Sequence, residues 1–336
     1  MTTINYTCFL FKRFIKNKLN LGLILIILII LISMMITNVK SGNDDMQNHL
    51  NHFGYSQNYR RSYHNLIQYN NKIMIKSNSQ DITNQLSNDN ELLNYLYQNN
   101  IQYESSSHPT TSYGFMKEAN NSYITGFTLL IIIFMIINLF SNNYIERMNI
   151  SKLLPMNRFK KDFISIIFSF LLYGFLWIIY NVFSYILGLI ISGSGSINYP
   201  ITAFINDIHN GSYVNFGSLI PHMIIIKSMF MLFIACFVYL VIIICKNRIM
   251  ALFSALFISF GLIISSLLFA PISRIAQWIP FSFFNGNDIV TLVLGHSIDN
   301  AKLNYQNGIL ILGISIVIIL IILILKNISV NKIKRI

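Results

Sequence analysis

Charge is scarce in this chain. Only 11% of its 336 residues are Asp, Glu, Lys or Arg, while 54% are hydrophobic. An ordinary soluble domain carries about 25% charged residues, so a single water-soluble core is excluded and a polytopic membrane protein is expected. Acids are scarcest, 12 against 24 bases, which leaves a net charge of +12. The long apolar runs hold no Asp or Glu at all. That removes the usual carboxylate relay for protons or sodium. Cysteine is limited to Cys8, Cys236 and Cys245, none in a segment expected outside the membrane, so no disulfide framework is expected. The sequence contains no G-x-x-x-x-G-K-[ST] phosphate loop, no H-E-x-x-H and no G-x-S-x-G. It therefore cannot hydrolyse ATP by that loop, and no catalytic residue is expected. His49, His52 and His64 stand in an Asn-rich stretch without carboxylate or Cys support, so neither a metal site nor a bound cofactor is expected. No pair of Gly/Pro-broken spans signals an inverted repeat, and no aromatic-interleaved basic groove signals nucleic acid.

What the chain does have is six apolar runs, at about 19–37, 124–140, 163–192, 224–245, 249–270 and 308–325. Each is near the roughly 20 residues that a bilayer requires, and the third is long enough to tilt. The first lacks a small-residue cleavage site and is expected to be retained as a span. Ahead of it, residues 1–18 pair Leu10, Phe11, Phe14 and Ile15 with Lys12, Arg13 and Lys16 in a two-on, two-off pattern. That predicts a helix lying in the inner interface. Residues 38–122 are polar and rich in Asn, Ser, Gln and Tyr, with apolar positions recurring loosely at helical spacing. They predict a mostly helical outer domain. The fold class expected is an all-α membrane protein of six spans.

Orientation follows from the short loops. Residues 141–162 hold Arg147, Lys152, Arg158, Lys160 and Lys161, the turn 246–248 holds Lys246 and Arg248, and the tail 326–336 is basic. The loop 193–223 on the opposite side has no base. Lys and Arg near span ends resist translocation, so both termini are expected in the cytoplasm of a cell-membrane protein. The usage of Asn, Ile and Lys suggests an AT-rich genome of the low-GC Gram-positive kind.

Three further features invite functional readings. Tyr173, Trp177, Tyr180 and Ser184 share one helical face of the third span and are candidates for a cargo path, although aromatic stripes in spans commonly pack. Lys227 lies near an end of the fourth span, from where it is expected to snorkel to water. Residues 271–306 are too interrupted for a span and too apolar for a solvated loop. Pro271, Pro280, Trp278, Phe281, Phe283 and Phe284 predict interfacial or re-entrant helices, with Trp278, Phe281 and Phe284 as candidate gate residues.

The stretch 144–163 carries the most specific pattern: Glu146-Arg147, then Lys152-Leu153-Leu154-Pro155, then Arg158 to Lys161. With the order of spans, it resembles the membrane subunit of an ABC-2 type ABC exporter. The family has an E-R … L-x-x-P-x-x-R … K stretch after its second span; here Asn149 and Ser151 replace its usual Gly-Thr. The segment 278–284 is similar to the family's aromatic P-x-x-F piece. The resemblance implies that Glu146, Arg147, Lys152, Leu153, Leu154, Pro155 and Arg158 couple to a separate cytoplasmic ABC ATPase that binds the ATP. It implies a second permease copy or a related permease as partner, with membrane lipid around both. Cargo by the same resemblance is an amphipathic or antimicrobial peptide, such as phenol-soluble modulins or bacteriocins. The competing expectation is a non-transporting sensor or immunity protein that binds an extracellular ligand through residues 38–122.

Overall fold

A computed structural model describes residues 3–53, 59–76, 80–101, 103–104, 108–141, 144–145, 148–149, 157–205 and 211–333. It is mostly helical. In chain order the helices are α1 (Thr3–Lys16), α2 (Lys18–Phe53), α3 (Tyr59–Lys76), α4 (Gln80–Gln98), α5 (Ser112–Glu118), α6 (Ser122–Ser141), α7 (Arg158–Ser192), α8 (Phe216–Cys245), α9 (Arg248–Leu268), α10 (Ala270–Ser273), α11 (Gly286–Val290), α12 (Val293–Ser297) and α13 (Tyr305–Ile333). Two antiparallel ribbons complete it: β1 (Tyr144–Ile145) with β2 (Met148–Asn149), and β3 (Pro200–Ala203) with β4 (Ser212–Asn215). Among the described residues six helices are long and apolar enough to cross a membrane, within α2, α6, α7, α8, α9 and α13. On α2, α9 and α13 large apolar side chains stay exposed, as with Ile29 at 59%, Phe257 at 80% and Val317 at 54%. Such continuous apolar surface suits lipid and not water.

The chain forms two compact units. The first comprises Met1–Leu28, Asn120–Tyr180 and His222–Ile336; the second comprises Ile29–Ala119 and Asn181–Pro221.

At the centre of the first unit is α6, apolar on every side and 78% buried over its span. A helix apolar all round belongs in a core. Helix α9 shows how the others meet it. Its buried edge is Ala251, Ala255, Ser259 and Ile263, spaced four apart, while Phe253 and Phe257 point away. Small residues on one edge let two backbones approach closely, and α9 lies against α6. The turn between α8 and α9 is short because Lys246 adopts a left-handed backbone and Asn247 caps the next helix. The Asn247 side-chain oxygen accepts from the amides of Ile249 and Met250, two of the donors a helix start leaves open. The ammonium of Lys326 in turn donates to the Ile243 carbonyl, 3.1 Å away, near the end of α8.

Helix α1 breaks from α2 at a single residue, Asn17, whose side chain accepts from the Leu19 amide at 3.1 Å. Tyr6, Leu10 and Phe14 are buried, while Ile4, Phe11 and Ile15 are exposed. The expected N-terminal amphipathic helix is present, with an apolar face beyond the one that packs against protein.

The second unit has its own small core. Helices α3 and α4 run antiparallel, with Tyr63 against Leu93 and Leu96, and the Asn70 amide donating to the Asn90 side chain at 3.0 Å. Tyr199, from the other chain stretch, packs on this core and donates to the Glu104 carbonyl at 2.8 Å. Its burial pushes the Tyr199 hydroxyl well above the ordinary range. The Glu104 carboxylate accepts from the amides of Thr110 and Thr111 and from the Thr111 hydroxyl, 2.7–2.9 Å away. Downstream, the Ser112 amide donates to the Gly193 carbonyl at 3.0 Å. The sequence reading separated residues 38–122 from the loop 193–223; here the two stretches build one unit.

Candidate functional site

The residues expected to couple to an ATPase, Glu146, Arg147, Lys152, Leu153, Leu154 and Pro155, lie outside the described residues, and Arg158 contributes only the backbone that opens α7. On either side of them the chain is defined. Tyr144 stands opposite Asn149 and Ile145 opposite Met148 in the β1–β2 ribbon. Asn157 caps α7, its side-chain oxygen accepting from the Phe159 amide at 3.1 Å.

The root of α7 is tied down from two directions. Tyr239 on α8 donates its hydroxyl to Asp162 Oδ1 at 2.6 Å. Tyr6 on α1 shares a 3.3 Å hydrogen bond with Ser165. The Ser165 hydroxyl already donates to the Lys161 carbonyl at 2.9 Å, and it has one proton, so Tyr6 is the donor. Burial, its largest influence, raises the Tyr6 hydroxyl above the ordinary range and keeps it protonated for that bond. Lys161 is itself 5% exposed. By sequence alone Lys161 and Asp162 both fall in the expected cytoplasmic loop 141–162. A helix that starts at Arg158 buries Lys161 and brings Asp162 to Tyr239 of α8.

The aromatic face of α7 points inward. Trp177 Nε1 and the Tyr180 hydroxyl both donate to one acceptor, Asn120 Oδ1, each at 3.0 Å. Tyr173 is 1% exposed. Trp177 and Tyr180 thus share one acceptor from outside α7. Asn120 lies at the end of a polar stretch, and nothing in its spacing marked it.

Residues 271–306 form the broken segment that the two prolines predict: α10, two 3-10 turns at Ala276–Trp278 and Pro280–Phe283, then α11 and α12. The three candidate gate residues separate. Phe281 is buried edge-on to Phe233 and Phe237, with centroids 5.0 Å away in each case, and Phe284 is 3% exposed. Trp278 is 66% exposed. Phe284→Ala should therefore cost about 3–5 kcal/mol of stability and lower the yield of folded protein, whatever the segment does. Trp278→Ala should leave yield and thermal unfolding unchanged. A transport change in the Trp278 variant at normal yield is the result a gate requires.

Under this segment sits a polar cluster that the sequence did not signal. Lys227 does not snorkel to water: it is 5% exposed, and its ammonium donates to the Phe284 carbonyl at 3.3 Å. Asp288 is its charged neighbour. The Asp288 carboxylate accepts from the Ser122 hydroxyl at 2.8 Å and from the Asn285 amide at 2.6 Å. Asn285 also caps α11 through the Asn287 amide. The broken segment brings the Phe284 carbonyl to Lys227 and places the Asp288 charge near it, so the lysine has a partner inside the protein. The cluster has the form of a structural pin.

No family model matches the chain, and no curated protein or solved structure matches it either.

Proposed function

We propose that the chain is the transmembrane subunit of an ATP-driven ABC exporter, embedded in a bacterial cell membrane with both termini in the cytoplasm. Residues 146–158 form the docking element for a separate ATPase. The observation that carries this reading is the way the chain returns from that stretch. A basic segment with an apolar Leu153-Leu154-Pro155 step feeds straight into the root of α7, which Asp162–Tyr239 and Tyr6–Ser165 tie to α8 and α1. A push on the docking element would act on three helices and not on a loose loop. The missing phosphate loop supports energy supplied in trans. Two copies, or one copy and a related permease, complete the path, and an amphipathic peptide is the cargo class.

The test is reconstitution with the candidate ATPase. The purified chain alone should hydrolyse no ATP, and it should bind the ATPase and raise its turnover. Leu153→Asp with Leu154→Asp should abolish both effects while the variant elutes as the wild type does. Two charges against an apolar socket cost several kcal/mol, enough to remove binding. Full stimulation by the double variant would remove the docking assignment. A chain that recruits no ATPase but binds an extracellular ligand through residues 38–122 would instead be a sensor or immunity protein.

A further inference from the structure

We infer that α1 and the end of α6 form a binding site for the phosphate headgroup of an anionic phospholipid. Between them lies a pocket of about 530 Å³. Lys12, Arg13 and Lys16 line one side of it, and Phe9 and Leu139 supply apolar wall. The floor includes Asn138, which is 4% exposed. Asn138 is out of character for its helix. Its neighbours Ile136, Ile137, Leu139 and Phe140 are all buried apolar residues, and its amide has no hydrogen-bond partner among the described residues. Its side chain lines the pocket, so a ligand group that enters can supply the missing partner. An amide donor at the base of a pocket ringed by three cations fits a phosphate oxygen.

The surroundings select a lipid over a soluble phosphate. Asn138 is in the last turn of the second span, and Lys18 opens the first one after the single residue Asn17. The pocket is therefore at headgroup depth. Beside it α1 exposes Ile4, Phe11 and Ile15 at 73%, 55% and 47%. Apolar side chains interleaved with bases on a helix at that depth lie among acyl chains, with the bases at the phosphates. Basic pockets at span ends on the inner side are the recurrent form of such sites. This inference is independent of the exporter reading, because it concerns lipid retained by the chain alone.

The experiment is native mass spectrometry of the full chain released from mixed micelles of phosphatidylglycerol and phosphatidylcholine. Wild type should retain phosphatidylglycerol in about tenfold preference. Lys12→Ala with Lys16→Ala should bring the two lipids close to equal retention, and Lys72→Ala with Lys76→Ala should leave the preference intact. If the first double variant does not fold, Asn138→Leu, which keeps the apolar packing of α6, should lower the preference on its own. Equal retention of both lipids by wild type would overturn the site. So would an unchanged preference in the foldable pocket variants, or displacement of the lipid by millimolar inorganic phosphate, which would mark a small-anion site.

Discussion

Asp288→Asn is expected to lower the unfolding free energy of the detergent-solubilised protein by about 3 kcal/mol, a large loss for a change of one atom. The amide keeps the shape of the carboxylate and can still accept from the Ser122 hydroxyl, so the quantity lost is charge. Lys227, 5% exposed, then keeps its ammonium inside the protein with only the Phe284 carbonyl bonded to it. An ion left without its counter-charge in such a place is worse than no ion. Lys227→Met should accordingly be the milder single change, because it removes the charge and retains the stem volume. The double variant should be more stable than Asp288→Asn alone, a coupling of opposite sign to simple addition. Asp299→Asn provides the reference, since Asp299 is exposed and its left-handed backbone (φ 53°) suits Asn equally well. Equal thermal shifts for the Asp288 and Asp299 variants would show that the cluster is not electrostatically coupled.

Two glycines in one helix should respond to alanine with opposite signs. In a helix interior Gly→Ala ordinarily stabilises by about 1 kcal/mol. Gly174→Ala should follow that rule, because a Cβ there meets nothing within 4 Å. At Gly188 a Cβ would sit 2.6 Å from Ser112 Cα and 2.7 Å from the Thr111 carbonyl carbon. Both are backbone atoms and cannot rotate away. Ser112 is also held by the hydrogen bond that its amide donates to the Gly193 carbonyl, so moving it breaks a second contact. Overpacking of this kind costs about 1–3 kcal/mol. Gly188→Ala should lower the melting temperature and speed proteolysis of the second unit, while Gly174→Ala should do neither. Two alanine variants with the same effect would mean that the 111–113 segment does not lie against α7.

How much of this was legible in the sequence depends on the range of the interaction concerned. The six apolar runs and the broken segment after the fifth are local properties of composition, and each reappears as helices. Two helices outrun their apolar runs: α2 continues to Phe53, and α7 begins at Arg158. A membrane boundary is a change of solvent, and a helix without a proline crosses it while its backbone bonds continue. The interior partners were out of reach for a different reason. Lys227 meets a carbonyl 57 positions away, and Trp177 and Tyr180 meet Asn120 from 57 and 60 positions away. Hydropathy and periodicity report on one turn or one strand at a time, so they present these residues as a snorkelling base and a lining stripe. The Asn247 cap, by contrast, acts within three residues and could be read directly from its place before an apolar run.

The second unit draws its two stretches from either side of residues 120–180, and this dictates an order of events during synthesis. When Ala119 leaves the ribosome, α3 and α4 can pair at once, because their contacts are local. Tyr199, which packs on their core and bonds the Glu104 backbone, does not yet exist. At about 5–20 residues per second, the chain from Ala119 to Tyr199 takes roughly 4–16 seconds to make. Throughout that interval the half-built unit presents the Tyr63, Leu93 and Leu96 core without its late partner. Spans two and three must also have been threaded before the closing stretch emerges. A nascent chain of this protein therefore passes through a stage in which its polar portion is sticky, and a slow codon run just after position 119 would prolong that stage.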